Sequence, residues 1–171
     1  MSKFTNFDPD SSVEVNPWAT HQLHKTHWVV KKSFDYYVGK KNDGVYIRIP
    51  FCYLTDGASI PIKLQRFIPA WGKYGTAAII HDYLCEHLTV IDNGVVKPIS
   101  RKEADNIFYE AMRVLKVPLW QRLSFWIAVR LYARYYKTEK PMFQTKKHYL
   151  EILLEEHYSK TGNFNIGESN D

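Results

Sequence analysis

Residues 77–88 read AAIIHDYLCEHL, a helical repeat into which a histidine–aspartate pair is set. Ala77, Ile80, Leu84 and Leu88 recur at the spacing of one helix face, and such a face predicts burial. With about 100° of rotation per residue, His81 falls inside the apolar stripe and Asp82 on its flank. A polar side chain aimed at a core needs a partner, because burying one unpaired costs about 1–3 kcal/mol. The stretch therefore predicts a buried helix from about Thr76 to His87, with other segments supplying partners for His81 and Asp82.

Upstream of it the period changes. HWVVKKSFDYYVG (residues 27–39) is rich in β-branched and aromatic residues, and VYIRIPFCYL (45–54) alternates in part. KKNDG between them carries turn chemistry, so residues 28–54 are expected to form a β-hairpin. Pro50 lacks a backbone donor and predicts an edge position or a bulge for the second strand. Residues 1–27 are polar and contain proline, and are expected to be an irregular arm. TDGASIP (55–61) reads as a loop, and IKLQRFIPAWGKYG (62–75) as a mixed segment broken by Pro69, Gly72 and Gly75.

Downstream, Asn93-Gly94 signals a tight turn. Ser100 and Glu103 form a capping box, opening a helix that runs to about Leu115. Pro118 starts a third helix, PLWQRLSFWIAVRLYARYYK, and KKHYLEILLEEHY (146–158) makes a last one before a Gly/Asn-rich tail. The predicted fold class is α+β: an N-terminal β-hairpin or small antiparallel sheet packed on three to four α-helices. A single core domain is expected over residues 28–140, and a C-terminal helix with a loose tail over 141–171.

A chain of 171 residues suits one domain and buries about 70% of its unfolded surface. It needs no disulfide framework, and Cys52 and Cys85 read as buried thiols in a reducing compartment. The first twenty residues hold no apolar run of signal-peptide length. No stretch approaches the roughly 20 apolar residues that span a bilayer, so a cytoplasmic protein without membrane contact is expected. The net charge of +5 is spread over single residues and short pairs such as Lys31-Lys32, Lys40-Lys41 and Lys146-Lys147. That pattern describes a solvated surface better than a nucleic-acid footprint. Arg134, Tyr135, Tyr136 and Lys137 remain a candidate contact patch for protein or nucleic acid.

The residues that carry chemistry lie on three helices and one loop. On a wheel of the third helix, Leu119, Leu123, Trp126, Ile127 and Leu131 make the apolar stripe and Arg130 lies inside it. A guanidinium cannot discard its charge, so it needs a carboxylate or carbonyls there. In the helix before it the stripe is Ala104, Ile107, Phe108, Ala111 and Leu115, flanked by Asp105. His81 with Asp82, Asp105 and Arg130 thus converge on one interior. The loop adds Asp56, a candidate metal ligand or general base, and Ser59, a candidate nucleophile or substrate contact. The plainer reading gives Asp56 an Asx-turn and Ser59 a cap.

Two accounts of the convergence compete. His81, Asp82 and Asp105, with Asp56, would hold one divalent ion (Zn, Mn, Fe or Mg) whose bound water is the nucleophile. In the other account Asp82 or Asp105 pairs with Arg130 and His81 bonds a carbonyl or Tyr83, a buried network that does no chemistry. The histidines of HQLHKTH, at 21, 24 and 27, read as adventitious metal binders.

IPFCYLTDGASIP (49–61), AAIIHDYLCE (77–86), SRKEADNIFYEAM (100–112) and, more weakly, AVRLYA (128–133) follow in this order. On these motifs the chain resembles the bacterial and phage proteins grouped as domain-of-unknown-function family 1353. The resemblance implies motif residues Thr55, Asp56, Ala58, Ser59 and Pro61, then His81, Asp82 and Tyr83, then Asp105 and Arg130. Cys85 stands where the family usually has an aromatic residue. HD-type phosphohydrolases are similar in the dipeptide alone, since those domains are all-helical and His21, His24 and His27 precede a strand here. The family's setting implies a phage-type protein made in the host cytoplasm, with incorporation in the virion as one expectation. One expected function is a small metal-dependent hydrolase of a cell-wall or nucleotide substrate, using Asp56, Ser59, His81, Asp82, Asp105 and Arg130. The other is a non-enzymatic virion accessory or assembly protein, partnered by virion, phage or host proteins, whose polar cluster is structural. An early inhibitor of host defence also fits the size and charge.

Overall fold

A computed structural model describes residues 12–40, 44–57 and 74–166. These form two antiparallel sheets and five helices, an α+β architecture. β1 (Val13–Val15), β2 (Trp28–Val30) and β5 (Leu54–Thr55) make one sheet in the order β1-β2-β5. β3 (Phe34–Tyr37), β4 (Val45–Ile49), β6 (Thr89–Asp92) and β7 (Val95–Pro98) make the other, in chain order. The helices are α1 (Pro17–Leu23), α2 (Gly75–His87), α3 (Arg101–Val114), α4 (Leu119–Tyr136) and α5 (Thr145–Thr161).

Within the expected hairpin, β3 and β4 pair, with Phe34 opposite Ile49 and Tyr37 opposite Tyr46, while β2 joins the other sheet. Pro50 ends β4 and starts a turn in which Cys52 takes φ +64° and donates its N–H to the Val30 carbonyl at 2.9 Å. That turn hands the chain from one sheet to the next. Asn93 and Gly94 both have positive φ, 49° and 80°, the two-residue turn whose twist matches a hairpin; it joins β6 to β7. α3 opens on the capping box, with the Ser100 side chain accepting the Glu103 N–H and the Glu103 carboxylate accepting the Ser100 N–H at 2.7 Å.

The sheet β1-β2-β5 separates two cores. Val30 enters the first with Phe34, Tyr36, Ile47 and the inner faces of α2 and α3; Val29 and Leu54 enter the second with Ala19, Leu150, Leu154 and Phe164. Neighbouring strand residues point to opposite faces, so β2, with Val29 and Val30 both fully buried, is covered on both. α2 packs on α3, and α3 on α4.

Residues 13–23, expected within an irregular arm, form β1 and α1. Asn16 caps α1, accepting the Ala19 N–H at 2.7 Å and donating to the Phe164 carbonyl at 3.0 Å, with Pro17 in the first turn. The Asn-Pro start signal outweighs the polar surroundings. The tail, expected to be loose, is docked as far as Phe164, which is buried against Phe51 and Tyr158.

On α4 the buried face is not the expected stripe. Leu119, Leu123, Ile127 and Leu131 are 42–63% exposed, while Phe125 and Ala133 are buried and Val129 packs on the first core. Apolar side chains surround this helix, so periodicity alone cannot choose a face. Phe125 packs on Tyr74 and Phe108, and Arg130, on the flank of the buried side, reaches Asp105 at 2.9 Å; together these contacts set the rotation.

Candidate functional site

α2 aims neighbouring side chains in two directions. His81 is buried, its Nε2 lies 2.8 Å from Asp105 Oδ1 of α3, and its ring stacks on Phe108 at 4.6 Å. Asp105 is 0% exposed and also accepts from Arg101 Nε at 3.3 Å and Arg130 Nη1 at 2.9 Å. Burial acts to raise the Asp105 pKa, but the bonds from His81 and Arg130 and the charge of Arg101 outweigh it and hold the carboxyl below its ordinary range. Burial lowers the His81 pKa despite the pull of Asp105. His81 is therefore a neutral donor at pH 7, and the two arginines balance the Asp105 charge.

Cys85, one turn along, places Sγ 3.5 Å from His81 Nε2 and 3.8 Å from Nδ1. This Cys-His-Asp grouping is not a nucleophile relay. The sulfur sits nearer the nitrogen that Asp105 already occupies, and burial pushes the thiol pKa up, away from the reactive thiolate.

Asp82, about 100° further round the helix, turns away from the network. Its Oδ2 accepts the Thr55 hydroxyl at 2.5 Å, and the Thr55 oxygen accepts the Gly57 N–H at 3.0 Å. Gly57 has φ +68°, a conformation open to glycine, and so lets the loop fold back on Thr55. Burial, and then the charge of Asp56, push the Asp82 pKa well up against the pull of the Thr55 bond. Asp56 is bound by Lys25. Next on α2, Glu86 Oε1 accepts Lys147 Nζ of α5 at 2.5 Å; that ammonium lies 3.8 Å from the Tyr53 ring centroid and 3.4 Å from Glu151 Oε1. Burial raises the Glu86 pKa, and Lys147 offsets part of the rise. Glu151 also accepts the Leu54 N–H at 2.8 Å, tying α5 to β5.

Several of these groups line a cavity of about 460 Å³, within the size range of small-ligand sites. Its polar wall includes Lys25, His27, Thr55, Asp56, Asp82 and Lys147; Phe108 and, from α4, Phe125, Ala128, Val129 and Tyr132 make an apolar wall. His81 and Cys85 of α2 also line the cavity.

Of the residues nominated from sequence, Asp56, His81 and Asp82 line the cavity, and Asp105 and Arg130 stand behind it as the buried network. Ser59, with Ala58 and Pro61, lies outside the described residues. The four nominated metal ligands are divided: His81 and Asp105 face each other, and Asp82 turns to Thr55. Among the described residues no three His, Cys, Asp or Glu side chains gather around a point that an ion would occupy. Sequence reasoning missed Arg101, Lys147 and Lys25. Arg101 stands four residues before Asp105, the spacing of a helical ion pair. Lys147 shares a face with Leu150 and Leu154, a cation placed where a core residue belongs. Lys25 gave no local signal.

A family described as Protein of unknown function (DUF1353) matches residues 28–129. The chain is similar to an uncharacterized protein of Sinorhizobium fredii, 33% identical over 92 residues, which make up 53% of this chain and 25% of that protein. The matched region is thus a quarter of the relative's length. No solved structure matches the chain. Arg130 and the cavity residues Tyr132, Met142, Gln144 and Lys147 lie beyond the family match.

Proposed function

The chain belongs to the DUF1353 family, whose description names no activity, and we propose, on the chemistry of the cavity, that it is a small hydrolase acting on an uncharged polar group with Asp82 as proton donor. The observation that supports this reading is a cavity-lining carboxyl that burial and the Asp56 charge bias toward its protonated form. A general acid needs that combination. Thr55 holds one Asp82 oxygen, leaving the other for the leaving group. Each described cation of the wall is held by a carboxylate: Lys25 by Asp56, Lys147 by Glu86 and Arg101 by Asp105. A phosphate would have to displace one of these carboxylates, so the cavity favours an uncharged cell-wall glycoside or ester over a nucleotide.

A divalent ion on Asp56 and Asp82 is the competing source of an activated water, and it requires Asp82 ionised. The test follows the Asp82 carboxyl by 13C NMR across pH, with metal content measured by mass spectrometry on the same sample. A midpoint well above about 4 in metal-free protein supports the acid. An ordinary midpoint near about 4, or an equivalent of bound ion that Asp82→Asn loses, overturns it.

The exposed stripe of Leu119, Leu123, Ile127 and Leu131 favours a second reading. In it the protein is an accessory or assembly component of a phage particle, and this face docks on a virion or host protein. Mass spectrometry of purified particles and assembly intermediates tests it; absence from both ends it.

A further inference from the structure

We infer that His27 is the proton acceptor of this site, taking a proton from water as Asp82 supplies one to the leaving group. The inference rests on the hydrolase reading above. His27 is 6% exposed and lines the cavity beside Thr55 and Asp56. Its ring is oriented by the backbone, with Nδ1 2.6 Å from the Lys25 carbonyl oxygen. A carbonyl only accepts, so Nδ1 carries the hydrogen and Nε2 of the neutral ring carries the lone pair.

The backbone of His27 is held on both sides. Its N–H donates to Thr20 Oγ1 at 3.0 Å and its carbonyl accepts the Asn16 N–H at 2.9 Å. Among the described residues Nε2 takes no hydrogen bond, which leaves it for a ligand or a water. The charges around the ring suit a base. Burial, Lys147 of α5 and Lys25 of its own segment disfavour the protonated ring at rest, and Asp56 of the β5 loop favours it. The ring is thus neutral before the reaction and has a counter-charge beside it once a proton arrives. His81, the histidine that the motif singled out, cannot serve in this way, because its Nε2 faces Asp105.

In the step, the water oxygen bonds to the electrophilic carbon of an ester or glycoside as one water proton passes to His27 Nε2. The bond from that carbon to the leaving oxygen breaks, and that oxygen takes the proton of Asp82. The His27 proton then returns to Asp82 through solvent, restoring both groups.

The test uses the full chain with His27→Gln, His27→Ala and Asp82→Asn, on paired probes: 4-nitrophenyl acetate with ethyl acetate, and 4-nitrophenyl with methyl N-acetyl-β-glucosaminide. Nitrophenolate departs without a proton, so aryl probes report the base alone and alkyl probes report base and acid. His27→Gln keeps a donor for the Lys25 carbonyl and is expected to lower kcat about a hundredfold or more on both members of the hydrolysed pair. Asp82→Asn is expected to do so on the alkyl member only, and added imidazole to restore part of the His27→Ala rate. If Asp82→Asn loses the alkyl activity while His27→Gln keeps both, the His27 assignment is overturned and the hydrolase reading stands. If no probe is turned over, or neither variant changes the rate, both are overturned. Independently of turnover, a long-range 1H–15N spectrum at pH 7 is expected to show His27 as the Nδ1–H tautomer; the Nε2–H tautomer overturns the assignment.

Discussion

Replacing Asp105 by Asn removes the one charge on which three helices converge. The carboxylate is 0% exposed and accepts from His81 at 2.8 Å, Arg130 at 2.9 Å and Arg101 at 3.3 Å. Asn keeps the shape but offers one acceptor oxygen to three donors and turns an amide hydrogen toward one of them. The Arg101 side chain is 8% exposed and cannot retreat to water, whereas that of Arg130 is 32% exposed and can. The uncompensated charge is therefore chiefly that of Arg101, and breaking such a buried pair costs about 3–5 kcal/mol. In a chain of 171 residues each kcal/mol moves the Tm by about 2–4 °C, so Asp105→Asn should melt about 6–20 °C below wild type. Arg130→Gln, with its solvent route, should cost nearer to about 1 kcal/mol. Scanning calorimetry at pH 7 measures both. A double variant with Arg101→Met should recover at least about 0.5 kcal/mol relative to additivity, because the orphaned charge is gone. If Asp105→Asn melts within about 2 °C of wild type, or the double variant is additive, the network does not hold these helices together and the reasoning fails.

Asp82 predicts a pH dependence of known sign. Its folded pKa is raised, so its contribution is full below the unfolded value of about 3.9 and is lost as pH rises through the folded one. Asp82→Asn, which keeps an acceptor for Thr55, should gain in Tm on wild type between pH 5 and pH 9; a gap that moves the other way in calorimetric scans sinks the claim. His81 works in the opposite sense: its folded pKa is lowered, so its contribution is present above about 6.5 and is lost as pH falls toward the folded value. His81→Gln should flatten that acid limb, and an unchanged limb in urea titrations would speak against it. Lys147→Met leaves Glu86 and Glu151 together beneath Tyr53 and should cost about 3–5 kcal/mol at neutral pH. The loss should be smaller near pH 5, where Glu86 more readily takes a proton; a pH-independent urea midpoint difference contradicts this. Ser100→Ala removes one half of the capping box and should cost about 1 kcal/mol, read from the same urea curves, with no change expected in the Asp82 titration.

Short-range rules reach far into this protein. Ser100 and Glu103 bond across one turn, so the start of α3 follows from spacing. Asn93-Gly94 adopts the two-residue turn that its residue types require. His81, Asp105 and Arg130 could be grouped because buried polar side chains must find partners, and a carboxylate beside an apolar stripe and a guanidinium within one have few. Asn16 and Pro17 carried an equally local signal for α1, masked by the polar residues around them.

The sequence by itself thus determined where α2 and α3 run, which polar groups had to be paired, and that His81 and Asp82 must point in different directions. Only the tertiary structure decided what lies in those directions. α4 is apolar on nearly every side, so its exposed and buried faces were settled by Phe125 packing on Tyr74 and Phe108 and by Arg130 reaching Asp105, rather than by its own periodicity. Lys147 and Glu86, 61 residues apart, are each an ordinary surface charge until α5 packs beside α2 and removes both from water. Whether Asp82 met a core or a cavity depended on β5, α4 and α5 arriving around it, and burial by those distant segments, with Asp56 alongside, is what biases its carboxyl toward holding a proton.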